Sequence, residues 1–452
     1  MSETYARDNS AELLSRLDHL PFTARHRKLL WGSGLGWAFD AMDVGLITYI
    51  IAVLAGQWGL TDTQKSLIVS AGFIGMSIGA IAGGALADRI GRRTVFTLTL
   101  IIYGVATGAS AFVGGVLPLI ILRVFVGLGL GAELPIASTL VQELSPTRIR
   151  GSITVWLEAF WALGWTIAAV VGYFVVPLGD NGWRWAFAIG ALPALYAIMI
   201  RWGLPESVRY LLKKGRTAEA EAVVVQFEES AGSPRRPVAT VNDDAVGESW
   251  TPSLTTLYST EFRTRTLAIW TVWFMVNFAY YGAFIWIPSI LHAGGHTLVR
   301  SFGFTLVMTL AQLPGYAASA FLIERWGRRA TLTTFLLGSA VSAVGFGIAG
   351  SDAAIIVAGC FLSFFNLGAW GALYAITPEI YPTSIRATGA GWAAGFGRIA
   401  SIVAPFAVTA LLAVGGVSGG NKALLFAVLA GAFVVGGVGT LFLPERKGQS
   451  LR

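Results

Sequence analysis

Ala87 to Arg93 reads ADRIGRR, and Glu324 to Arg329 reads ERWGRR. Asp88 and Glu324 lie 236 residues apart, and each opens a basic turn around a glycine, Gly91 or Gly327. A second pair keeps that spacing. Glu143 and Arg150 in ELSPTRIRG are answered 236 residues on by Glu379 and Arg386 in EIYPTSIRATG. A third landmark, LPESVRYLL from Leu204, returns as LPERKGQSL from Leu443. Three landmarks in one order mark an internal duplication.

The duplicated material is apolar. The chain of 452 residues is 55% hydrophobic and 13% charged, with mean hydropathy +0.66. Soluble globular chains carry about 25% charged residues. Continuous runs long enough to cross a hydrocarbon core of about 30 Å recur along the sequence. They predict an all-α membrane protein, and their continuity excludes an alternating β-barrel. Twelve spans are read near 29–54, 66–87, 94–114, 116–140, 151–177, 183–204, 266–290, 302–323, 330–349, 352–376, 387–413 and 421–443. The 55 glycines suit close helix approach. The first run is too long for a signal-peptide core and is read as a retained span.

The expected organisation is a polar segment at 1–28, a six-helix bundle at 29–204, a linker at 205–262, a second six-helix bundle at 263–444 and a tail at 445–452. In the linker, RYLLKKGRTAEAEAVVVQFEES predicts short surface helices, and GSPRRPVATVNDDAVGES predicts a flexible tether. The net charge of +7 falls mainly on alternate loops. The positive-inside rule puts those loops and both termini in the cytoplasm, with the protein multi-pass in the cell's inner (plasma) membrane. Basic residues spread over short loops do not suggest nucleic-acid binding. Cys360 is the single cysteine, so no intrachain disulfide can form. Parallel six-helix repeats point to a transporter whose ligand sits between the halves near the midplane.

Gly84-x3-Asp88-Arg89-x-Gly91-Arg92-Arg93 resembles the signature loop of the major facilitator superfamily, and Arg123-x3-Gly127 resembles its fourth-helix motif. The second copy of the loop departs from the pattern, with Glu324 in place of the aspartate. FDAMDVGLI, GLGLGAELPIASTLVQELSPTRIRG, LEAFWALGW and GRIASIVAP together resemble the bacterial niacin permease family, which is related to synaptic vesicle glycoproteins and organic-ion transporters. The resemblance implies alternating access and proton-linked uptake of nicotinate or a similar small aromatic carboxylate. It also implies that the charges at Asp88, Arg92, Glu143, Arg150, Glu324, Arg328, Glu379 and Arg386 close the inner face. Those arginines fix topology as well.

Few charges lie inside the spans: Asp40, Asp43, Arg123, Glu133, Glu158 and Arg398. Membrane-embedded charges are costly and usually face a partner or a cavity. Asp40 and Asp43 share a helix face at mid-depth, roughly 16–21 Å into the first span at 1.5 Å per residue. Two adjacent buried acids cannot both ionise cheaply, which suits proton coupling. The other use of such acids is to hold a neighbouring helix. Glu133 and Glu158 are the further proton candidates, and helix bridging is the competing role of each. Arg123 resembles a framework residue.

Arg398, mid-depth in the eleventh span, needs an anion, and Asp40 or Asp43 is expected to supply it in the empty state. A substrate carboxylate would replace that partner through the guanidinium's planar fork. Trp165, Tyr281 and Trp370 are candidate stacking rings, although packing is the ordinary role of any one of them. Asn277 and Asn366 are candidate hydrogen-bond donors.

No nucleotide-binding loop, metal set or nucleophile–base pair stands out, so neither cofactor nor enzyme activity is expected. His292 and His296 are read as solvated. The expected partners are a small organic anion, protons and the lipid bilayer, with the monomer as the working unit. Two rivals remain open: a permease or exporter for another aromatic acid or a sugar, and a membrane sensor that keeps the fold without transporting.

Overall fold

A computed structural model describes residues 12–146, 150–232, 257–381, 385–414 and 421–445. The first half holds α1 (Ala24–Gln57), α2 (Asp62–Ile90), α3 (Arg92–Ser110), α4 (Val116–Glu143) and α5 (Arg150–Phe174). Its sixth crossing is split into α6 (Gly182–Ile189) and α7 (Leu192–Gly203). Two short helices follow, α8 (Val208–Lys213) and α9 (Thr217–Ala231). The second half holds α10 (Arg263–Phe284), α11 (Ile287–Ala293), α12 (Leu298–Leu310), α13 (Gln312–Trp326), α14 (Arg328–Ile348), α15 (Asp352–Ile376), α16 (Arg386–Ala413) and α17 (Lys422–Thr440).

Eleven helical stretches among the described residues are long and apolar enough to span a bilayer. The twelfth predicted span, α3, is not among them. It has 19 residues and begins with Arg92 and Arg93, and its threonines lower its hydropathy further. It packs between α4 and α7 and completes the six-helix set of its half. Prolines explain the interruptions in other spans. Pro193 and Pro288 stand at the starts of α7 and α11, where proline is tolerated because the first N–H groups have no helical partner. Many large apolar side chains, among them Val105, Phe125, Val341 and Ile348, lie on the outside, as a lipid-facing surface requires.

The duplication has a geometric counterpart. A Cβ at Gly79 on α2 would run into the Leu128 carbonyl on α4, and a Cβ at Gly315 on α13 would run into the Phe364 carbonyl on α15. Both residues of the second pair lie 236 positions beyond those of the first. Equivalent helices therefore meet in the same register, backbone against backbone, which only glycine permits. Gly91 (φ 102°) and Gly327 (φ 96°) turn the chain between α2 and α3 and between α13 and α14 in a region that disfavours a side chain.

Each of those turns meets a glutamate from its half's last landmark. Glu206 accepts the backbone N–H groups of Arg92 and Arg93 at 2.9 and 3.1 Å. Glu445 accepts those of Arg328 and Arg329 at 3.3 and 2.9 Å. The recurring Pro-Glu landmark is thus a helix cap that ties the end of each half to its basic turn.

The halves touch at the side away from the basic turns. Ser66 on α2 donates to the Pro405 carbonyl on α16 at 3.1 Å and meets the Thr409 hydroxyl at 3.0 Å. One turn along, Ser70 donates to the Ile402 carbonyl at 2.8 Å. Tyr49 on α1 meets Phe302 on α12 edge to face, with centroids 5.1 Å apart. Toward the basic turns the halves part around a cavity.

Candidate functional site

The cavity holds about 810 Å³, within the range of small-molecule sites. Its walls come from α1, α2, α4 and α5 of one half and α10, α13, α15 and α16 of the other. Thr388, Gly391 and Trp392, in the first turns of α16, line it, which places its mouth on the side of the basic turns. Deeper in, Tyr280 is the hub of an aromatic lining. Its hydroxyl accepts a hydrogen bond from Trp161 Nε1 at 3.2 Å, and its ring centroid lies 5.7 Å from Trp370 and 4.9 Å from Tyr281. Trp37 stacks at a tilt on Trp161, 4.8 Å between centroids. Trp273 and Tyr374 extend the wall beside Trp370.

Arg398 lines this cavity and makes no ion pair within 4.0 Å among the described residues. Its direct polar contacts there are with neutral groups: the Tyr281 hydroxyl on the same wall and, weakly, the Met76 sulfur across the halves, 3.9 Å from Nη1. Asn277 stands beside it on α10. Its amide donates to the Trp273 carbonyl at 2.8 Å and accepts from Ser401 at 3.0 Å, which leaves its second N–H without a partner among the described residues. The charged neighbour of Arg398 is Glu158 on α5, which is 3% exposed and lines the same cavity.

That arrangement corrects one expectation. Neither Asp40 nor Asp43 lines the cavity or serves as the counter-ion of Arg398. Asp43 is committed within its own half: Arg123 Nη1 donates to one carboxylate oxygen at 2.7 Å, and the Thr107 hydroxyl donates to the other at 2.7 Å. Gly72 leaves room for that guanidinium, since a Cβ there would lie 3.1 Å from Nη2. Asp40 faces Glu133 and Tyr103, and all of these groups are sealed from solvent. The carboxylate oxygens of Asp40 and Glu133 have no hydrogen-bond partner of normal geometry among the described residues. Gly36, one turn before Asp40, carries no side chain because Glu133 fills that place. The two acids on one helical face thus divide into an ion pair and an acid pair without a cation.

Of the other expected ligand residues, Asn277, Tyr281 and Trp370 lie on the cavity wall with Arg398. Trp165 sits behind it, edge-on to Tyr280 and Phe284. Asn366 is fully buried off the wall, and its amide has no partner among the described residues. The reading of the sequence missed Trp270, Trp273 and Tyr316 as wall residues. Their only signal was aromatic identity at the depth of the cavity.

The charges at the basic turns pair within each half. Arg92 lies 3.6 Å from Glu143, which also accepts a hydrogen bond from Ser207. Arg328 lies 3.2 Å from Glu379 and 3.6 Å from Glu324. The side chains of Asp88, Arg150 and Arg386 lie outside the described residues. In the opposite loop His296 binds Asp352 at 2.9 Å, and His292 bonds the His296 carbonyl at 2.9 Å.

Comparison with known proteins agrees with the fold. The chain is 49% identical over 401 residues to the niacin transporter NiaP of Acinetobacter baylyi, covering 89% of this chain and 90% of that one. It is 45% identical over 387 residues to a Bacillus subtilis protein whose name joins niacin with nicotinamide, covering 86% and 89%. Its structure superposes on the xylose transporter XylE from E. coli, in a partially occluded inward-open conformation, with a TM-score of 0.75 at 18% identity, covering 95% and 100%. Residues 25–452 match the family model described as Sugar (and other) transporter. With its paired six-helix halves and the cavity between them, the chain belongs to that family of multi-pass transporters within the major facilitator superfamily, a family of carriers and not of enzymes.

Proposed function

We propose that this protein carries nicotinate into the cell together with a proton, by alternating access, as a monomer in the inner membrane with both termini in the cytoplasm. The positive-inside rule supports that orientation. The cavity then faces the cytoplasm, and the Ser66 and Ser70 contacts close the outer side. Relatives at 45–49% identity are named for niacin, and the ring-lined cavity suits a flat heteroaromatic acid. One observation carries the reading: Arg398 stands in the cavity between the halves with no ion pair among the described residues. Buried cations require an anion, and the guanidinium fork matches a carboxylate. Tyr281, Trp370 and Asn277 surround the ring. The paired charges at Arg92–Glu143 and Arg328–Glu379 act as latches that break and re-form as the cytoplasmic side closes.

Proton coupling rests on the acids that lack a cation bound directly to them. Asp43 is engaged by Arg123, which leaves Asp40, Glu133 and Glu158. Of these, only Glu158 lines the cavity.

The test is uptake of labelled nicotinate into proteoliposomes with and without an imposed proton gradient. The gradient should drive accumulation, and Arg398→Ala should lose nicotinate binding while keeping its thermal stability. Arg398→Lys should bind at least tenfold more weakly, the cost of roughly one charge-assisted hydrogen bond. The neutral amide nicotinamide should compete poorly. Equal competition, or normal binding by Arg398→Ala, would refute the carboxylate clamp.

A further inference from the structure

Arg398 and Glu158 face one cavity from opposite halves, close enough for the field of the arginine to reach the acid, yet no direct ion pair joins them. The other titratable groups that feel Glu158 are Tyr281 on α10, Tyr316 on α13 and Tyr374 on α15. The neighbouring helix α1 contributes the indole of Trp37, which shares the cavity wall with Glu158. Helices α4 and α12 also pack on α5, without adding a charged group at Glu158. A ligand lying between Arg398 and Glu158 therefore meets a cation at one end and a carboxyl at the other. A pyridine carboxylate has an anion at one end and a ring nitrogen with an unshared pair on the ring. An ionised carboxylate only accepts hydrogen bonds and would repel that nitrogen, whereas a protonated carboxyl donates to it.

We propose that Glu158 reads the ring nitrogen of the substrate, donating to it from a protonated carboxyl while Arg398 holds the substrate carboxylate. The proposal rests on the nicotinate reading above and deepens it. It makes one residue responsible for both specificity and stoichiometry, because substrate binds only with the proton in place. The proton comes from hydronium on the side where the cavity is open: one hydronium O–H bond breaks, leaving water, as the Glu158 O–H bond forms, and the exchange reverses on release. After substrate leaves on the cytoplasmic side, Glu158 faces Arg398 alone and releases the proton there. The indole N–H groups of Trp37, which is directed at Glu158 itself, and of Trp370, which has no partner among the described residues, are the competing donors. They do not titrate, so pH separates them from Glu158.

The experiment measures binding of nicotinate and of benzoate, which lacks the nitrogen, to the full-length protein at acid and at neutral pH. Wild type should prefer nicotinate by about tenfold or more, the worth of one buried hydrogen bond, and the preference should fade as pH rises. Glu158→Gln keeps an N–H donor. It should keep the preference, lose its pH dependence and lose gradient-driven accumulation. Glu158→Ala, with wild-type thermal unfolding, should bind both acids alike. A preference that ignores pH in wild type, or one that survives in Glu158→Ala, overturns the proposal while nicotinate transport stands. If wild type binds neither acid, the nicotinate reading falls and this proposal falls with it.

Discussion

The buried pair Arg123–Asp43 offers a quantitative test of how the first half is held together. The guanidinium is 3% exposed and the carboxylate 1%, with 2.7 Å between Nη1 and Oδ2. Removing either partner leaves the other charge stranded between α1 and α4. Uncompensated buried charges of this kind cost about 3–5 kcal/mol. Asp43→Leu and Arg123→Met should therefore each destabilise by that amount. The double mutant replaces both charges by apolar groups, so it should recover nearly all of it. What remains is about 1 kcal/mol for the Thr107 hydroxyl, which loses its acceptor. The expected coupling energy is thus several kcal/mol, far above the few tenths found for independent sites. Detergent-solubilised protein heated in steps and scored by the fraction that stays monodisperse gives the comparison. A double mutant as damaged as the sum of the singles would falsify the pairing, as would a single mutant that melts like wild type.

The capping glutamates should behave as duplicates. Glu206→Ala and Glu445→Ala should each cost about 1–2 kcal/mol in thermal stability, and their effects should add because they sit in different halves; an unchanged melt for either removes its capping role. The closed outer side invites a cross-link. In a Cys360→Ser background, Ser66→Cys with Thr409→Cys should form a disulfide on oxidation, because the native hydroxyls are 3.0 Å apart. Transport should stop, and reductant should restore it. A fully cross-linked protein that still transports would show that these surfaces never part. Replacing Gly79 or Gly315 by Val should lower the yield of folded protein sharply, since each Cβ meets a backbone carbonyl that cannot move aside. Normal yield from either variant would count against the shared register of the two halves.

The sequence by itself determined the membrane class and the duplication. Those properties follow from hydropathy and spacing, which are local or periodic along the chain. The duplication also exposes where the halves differ. Asp40, Asp43, Arg123, Glu133 and Glu158 have Val276, Ala279, Gly359, Ala369 and Ala394 at the equivalent positions, and Arg398 has Ala162. Position along the spans was legible too, and it put Asp40, Asp43 and Arg398 near mid-span. Their partners were not legible. Each residue advances about 100° around its helix, so equal depth leaves the facing direction open until every helix is rotated against its neighbours. Only the tertiary structure decided that Asp43 turns to Arg123 and that Asp40 turns to Glu133. It also gave Arg398 a different acid, Glu158, across the cavity. For the same reason Glu206 and Glu445 were visible as a recurring landmark while their role was not. The backbone groups they cap are more than 100 residues away along the chain, brought to them by packing alone.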